Sequence, residues 1–169
     1  DGVTRPLPYP FLVLATQNPV ELEGTFPLPE AQVDRFLMRV ALGYPTREDE
    51  RQILRRFRVA NPLVELKPVI STDEIRQANQ ICREVFVHAV LEDYLLDVVA
   101  ATRKHPAFAL GVSPRGALAL YRTAQAVAAV QGRNYVIPED VKTMAPPVLA
   151  HRLAPSIDAR LHGQSTQQV

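Results

Sequence analysis

The sequence predicts a mainly α chain, in which a two-stranded remnant of an α/β core is followed by a helical bundle. Three observations carry this reading. Up to about Gly43, short unbroken apolar runs alternate with Pro-rich loops. Beyond it, apolar residues recur at helical spacing. Two of those periodic stretches begin with Ser or Thr followed three residues later by an acidic residue, the reciprocal cap of a helix start. The expected divisions are 1–44 for the end of the core, 45–153 for the bundle and 154–169 for a loose tail.

The first strand candidate is Phe11-Leu12-Val13-Leu14-Ala15, an apolar run without alternation. Such a run suits a strand buried on both faces, as in a parallel sheet. It breaks into Thr16-Gln17-Asn18-Pro19, and Glu21–Pro29 is expected to be loop because it holds Gly24, Pro27 and Pro29. Pro29 can open a short helix reaching Asp34. Phe36–Leu42 is the second strand candidate. Two strands are too few for an independent sheet. The chain is therefore expected to begin inside a larger protein. The two strands are expected to leave apolar faces and unpaired edges exposed, and to be mobile or covered by another copy of the chain.

Gly43-Tyr44-Pro45 breaks the chain. Thr46 with Asp49 starts a helix expected to bury Ile53, Leu54 and Phe57, and Asn61-Pro62 closes that region. Ser71 with Glu74 starts the next, with Ile75, Ala78, Cys82 and Val85 on one face. A third runs from about Leu91 to Lys104, where Tyr94, Leu95, Val98 and Thr102 keep helical spacing and Pro106 stops it. Ser113-Pro114 opens a fourth, which continues through Leu118, Tyr121, Ala124 and Ala128 to Gly132. Pro138-Glu139-Asp140-Val141 opens the last, expected to be interrupted at Pro146-Pro147.

Composition narrows the function classes. At 169 residues and 47% hydrophobic, the chain suits one domain, or one domain plus a piece of another. Its formal net charge of +1 lacks the basic excess of a nucleic-acid binder. The single cysteine, Cys82, excludes an internal disulfide and a cysteine-rich metal site and fits a reducing cytoplasm. No apolar run is long enough for a membrane span, and the first residues do not read as a signal peptide. His88, His105, His151 and His162 are scattered without metal-ligand spacing.

Three places carry candidate chemistry. Asn18 stands at the end of the first strand, where α/β sheets bind ligands, so its amide could orient a water or phosphate; Asn-Pro is equally a turn pair. Arg35, at a helix–strand junction, is either a cation aimed at an anion or half of a surface ion pair. Arg115 sits in the first turn of a helix, against the dipole, which makes sense if it reaches for an anion. Gly111 and Gly116 are spaced like the glycines of a phosphate loop, but Ala117-Leu118 follows where Lys and Ser or Thr would stand, so the segment is not one.

Read together, these pieces resemble one family. Leu14-Ala15-Thr16-Gln17-Asn18-Pro19, Glu23-Gly24-Thr25-Phe26-Pro27-Leu28-Pro29-Glu30-Ala31-Gln32 and Asp34-Arg35-Phe36 look like the signature of MoxR-type AAA+ ATPases. Gly43-Tyr44-Pro45, Ala101-Thr102-Arg103, Gly111-Val112-Ser113-Pro114-Arg115, Gly132-Arg133 and Pro138-Glu139-Asp140-Val141 continue the match. The resemblance implies that the region to about Tyr44 ends an AAA+ nucleotide-binding core and that the helical bundle is its lid. It implies roles for Asn18 as sensor 1, Arg35 as the arginine finger that reaches a neighbouring subunit's nucleotide, and Arg115 as sensor 2. It also implies an ATP- and Mg²⁺-dependent parent that assembles into a ring, usually hexameric. Such proteins remodel or mature partner proteins, often with von Willebrand A-domain proteins. The residues that grip phosphate and metal are expected upstream of Asp1, so the chain alone is expected to bind ATP weakly and not to hydrolyse it. The competing reading is a helical interaction module that uses the lid fold without nucleotide.

Overall fold

The computed structural model describes residues 2–16, 28–58 and 61–163. Its elements are α1 (Glu30–Val33), α2 (Arg47–Phe57), α3 (Thr72–Glu84), α4 (Ala89–Lys104), β1 (Phe108–Leu110), α5 (Pro114–Val130), α6 (Pro138–Leu149), β2 (Ala154–Pro155) and α7 (Ile157–Leu161), with 3₁₀ turns at Pro62–Glu65 and Ala150–Arg152.

The core lies between α4, α5 and α6, with the end of α3 against them. Helix α5 is the centre. Ser113 Oγ accepts from the Gly116 N–H at its start, and Pro114 occupies the first turn. Its Ala-rich run has high helix propensity and lets neighbours approach closely. At the far end Gly132 takes φ +73°. The Gly132 N–H donates to the Ala129 carbonyl and the Arg133 N–H to that of Ala128, both at 2.9 Å, the double bond that closes a helix through a left-handed residue. Leu120, Ala124 and Ala128 of α5 pack with Val99 of α4 and Val141, Val148 and Leu149 of α6. Each fully buried Leu or Val contributes roughly 1.5–3 kcal/mol. Gln125 is buried too, and its amide donates to the Val85 carbonyl at 2.8 Å, tying the end of α3 to this centre.

Four expectations are corrected. The runs Phe11–Ala15 and Phe36–Leu42 are not strands: neither joins a ladder. Their apolar pattern marks a preference for burial, but a strand exists only when a neighbour accepts its hydrogen bonds. Phe11, Leu12, Val13 and Leu14 are accordingly exposed. Among the described residues the strands that form are β1 and β2, antiparallel, with Phe108 opposite Pro155 and Leu110 opposite Ala154. Helix α2 has its expected cap, Thr46 with Asp49, yet Ile53, Leu54 and Phe57 are exposed. Amphipathic spacing identifies an apolar face without supplying its cover.

Helix α6 runs through Pro146-Pro147 instead of stopping there. The carbonyls those prolines leave without a helical donor belong to Lys142 and Thr143, both exposed residues. Burial of Met144, Val148 and Leu149 outweighs the loss. Finally, residues 154–163 are not loose. Pairing of β2 with β1, a 2.8 Å bond from the Ser156 N–H to the Ala107 carbonyl, and buried Ala154 and Ala159 hold them to the bundle.

Candidate functional site

The segment after α1 and the start of α5 meet at one carboxylate. Asp34, the C-terminal cap residue of α1, accepts from Ser113 Oγ at 3.1 and 3.2 Å and from Arg152 Nε at 3.1 Å. Arg115 Nη1 stands 3.9 Å from its second oxygen. Two elements distant in sequence thus share a single counter-ion.

Arg152 is the anchor of this cluster. Its side chain is 2% exposed. Beyond the Asp34 carboxylate it donates to the main-chain carbonyls of Asp34, Phe36 and Leu37, and to Val148 one turn back. A buried guanidinium is tolerated only when its donors are matched, and here they are spent on the chain leaving α1. The Arg39 N–H adds a 2.8 Å bond to the Pro147 carbonyl, so residues 34–39 run along the end of α6. His151 lies beside this arginine, with Nε2 2.8 Å from Arg152 Nη1. The same Nε2 lies 3.3 Å from the Phe36 carbonyl, and Nδ1 is buried without a partner among the described residues. Burial first, and the Arg152 charge second, push the His151 pKa down, against the opposing pull of the Phe36 and Pro147 carbonyls.

The loop before α5 is held from the other side. Thr102 Oγ1 accepts from the Val112 N–H at 3.1 Å, and Arg103 Nε donates to the Val112 carbonyl at 2.8 Å. The two glycines make these approaches possible. A Cβ on Gly111 would stand 2.6 Å from Arg103 Cα, and one on Gly116 2.4 Å from Val112 Cγ1 and 3.0 Å from Arg152 Cδ. Their spacing serves packing.

Arg133 and Asp140 form a second cluster. Arg133 donates from Nη1 and Nη2 to the two Asp140 oxygens at 2.8 and 2.6 Å, and the Ile137 N–H donates to the same carboxylate at 2.9 Å. Burial alone would raise the Asp140 pKa, but the Arg133 hydrogen bonds and the Ile137 N–H hold it below the ordinary carboxylate range. This fork joins the end of α5 to the start of α6.

Of the residues singled out from sequence, Asn18 lies outside the described residues. Arg35 follows Asp34 directly and is exposed, with no side-chain partner among the described residues. Arg115 is brought to the same place, its side chain 56% exposed. Sequence reasoning missed Asp34 as the shared acceptor and Arg152 altogether, and it took His151 only as one of four scattered histidines. The dipeptide Asp34-Arg35 was in view, but its partner Arg152 stands 118 residues further along the chain.

Arg115, more than half exposed beside the Asp34 carboxylate, suits contact with a multiply charged anion. Among the described residues no group of three or more His, Cys, Asp or Glu could hold a metal ion.

Comparison with known proteins gives this geometry its context. Residues 1–38 match the family model for ATPases associated with various cellular activities (AAA), and residues 100–169 match the AAA lid domain. The chain is 46% identical over 167 residues to the chaperone MoxR1 of Mycobacterium tuberculosis, covering 94% of this chain and 44% of that protein. It is 41% identical over 169 residues to the uncharacterized protein YeaC of Bacillus subtilis, covering 100% of this chain and 53% of that one. The crystal structure of a protein assigned as an ATPase from Cytophaga hutchinsonii superposes with a TM-score of 0.89 at 40% identity, over 98% of this chain and 53% of that one. The chain belongs to the MoxR-type AAA+ ATPases. It spans about half the length of the curated relatives it matches. In MoxR-family terms, α5 with Ser113 and Arg115 falls within the lid match, and α1 with Asp34 and Arg35 falls within the AAA match. The Asp34 cluster is therefore a junction between the two matched regions. No helix among the described residues is long and apolar enough to cross a membrane.

Proposed function

We propose that this chain is the nucleotide-sensing part of an ATPase that couples ATP hydrolysis to chaperone-like remodelling of partner proteins in the cytoplasm. In this reading its divisions are core to residue 44, lid over 45–153 and a C-terminal tail. The observation that carries the proposal is the approach of Arg115 Nη1 to within 3.9 Å of the carboxylate of Asp34, the residue that precedes the exposed Arg35. Asn18, Arg35 and Arg115 then act as sensor 1, arginine finger and sensor 2. ATP hydrolysis gathers negative charge on the transferred phosphoryl group, and positioned guanidinium groups stabilise it. An arginine that serves a neighbour's nucleotide makes turnover depend on assembly, so the working form is a ring, a hexamer in this reading. Von Willebrand A-domain proteins are the proposed partners of that ring. Mg²⁺ in the whole protein neutralises phosphate charge. Its ligands and the main phosphate grip are assigned to residues other than those described here, and the chain by itself is proposed to be inactive.

The test is turnover in the whole assembled protein. Arg35→Ala is expected to lower the rate by about 10³-fold or more, the usual effect of an arginine finger, while the ring and its melting temperature stay unchanged. Turnover unaltered in an intact ring rejects the finger assignment.

A further inference from the structure

We infer that Asp34 is an internal competitor for the anion-binding face of Arg115 and so sets which anions that arginine accepts. The inference rests on the reading of Arg115 as a phosphate contact. The Asp34 carboxylate is shared among three donors of unequal strength. Ser113 Oγ at 3.1 and 3.2 Å and Arg152 Nε at 3.1 Å hold it closely. Arg115 Nη1 at 3.9 Å is beyond hydrogen-bond length, on a side chain that is more than half exposed. Asp34 thus stays fixed whether or not Arg115 remains. Arg152 cannot leave, because its donors are committed to main-chain carbonyls as well. Arg115 has no other polar partner among the described residues and is the donor free to exchange.

An anion that approaches Arg115 therefore meets a fixed negative charge behind it. A monoanion or a carboxylate gains little by replacing Asp34. A phosphate group with two charges and several acceptor oxygens gains more. The carboxylate acts as a threshold against weak anions, and Ser113 tunes it by drawing on the same oxygens.

Inorganic tripolyphosphate is the probe, titrated into the 169-residue chain and followed by the NMR signals of the arginine Nε–H groups. The chain is expected to bind it weakly, with the Arg115 signal moving and that of Arg152 holding its position. Arg115→Ala is expected to abolish the binding. Asp34→Asn is expected to tighten it by about two- to fivefold, the range of an exposed ion pair, and Asp34→Glu to restore the wild-type affinity. Structural damage alone would not tighten binding. Ser113→Gly keeps most of the helix cap. It is expected to weaken binding by returning Asp34 to Arg115, and it decides the matter if Asp34→Asn does not fold. Binding that Arg115→Ala abolishes but Asp34→Asn leaves unchanged overturns the competitor role alone. Unchanged or tighter binding in Ser113→Gly does the same. No binding to the wild type, or undiminished binding in Arg115→Ala, overturns the phosphate reading with it.

Discussion

Asp140→Ala is the substitution whose effect the structure specifies best. Asp140 is 2% exposed and accepts three hydrogen bonds, two of them from the Arg133 guanidinium. Its removal leaves the Ile137 N–H without its acceptor and strands a guanidinium at the junction of α5 and α6. Removing one partner of a buried ion pair costs about 3–5 kcal/mol. The Arg133 side chain keeps 20% exposure, so water recovers part of that loss and the lower end, about 3 kcal/mol, is expected. For a chain of this length that corresponds to a fall of roughly 6–12 °C in melting temperature. Thermal unfolding followed by circular dichroism measures it. A double-mutant cycle with Arg133→Ala separates the pair from the cap on Ile137. The pH dependence supplies a second check. The folded-state pKa of Asp140 is depressed, so its contribution is present at neutral pH and is lost as pH falls through the folded value. The variant is therefore expected to lose less stability in acid than the wild type. A fall of less than about 2 °C at neutral pH, with an unchanged acid limb, refutes the reasoning.

Two further outcomes follow from packing and charge. Gly116→Ala places a methyl against Val112 and Arg152, and is expected to cost about 1–3 kcal/mol in urea unfolding; a neutral effect would show that the loop before α5 yields. His151 has a depressed folded-state pKa, so the folded chain binds fewer protons than the unfolded one just below the ordinary histidine value. Stability is thus present above that value and declines as pH drops through it. His151→Gln is expected to flatten the melting-temperature profile between about pH 7 and 5, and an unchanged slope would remove His151 as its source.

The helical half was legible in the sequence because its signals are local. The Thr46/Asp49 and Ser71/Glu74 caps bond within four residues and form as read. Ser113-Pro114 and Gly132 bracket α5 because a first-turn proline and a left-handed glycine act on their own backbone. Arg35 and Arg115 were visible as cations in odd places, and the family resemblance gave them a proposed role. Burial was less legible. The face of Ile53, Leu54 and Phe57 and the run Phe11–Leu14 announce a need for cover, and cover is a property of whatever packs there.

The sequence by itself determined the MoxR-type family, the mainly helical class and the chain positions of the two arginines, since motif spacing and capping are properties of neighbouring residues. Tertiary structure alone decided that Arg115 comes to the carboxylate of Asp34, the residue next to Arg35. Asp34 and Arg152 stand 118 residues apart, and nothing in their surroundings encodes the pairing. Only the packing of α6 against α5 brings the buried guanidinium to the end of α1, where a charge that water no longer solvates must find its counter-ion.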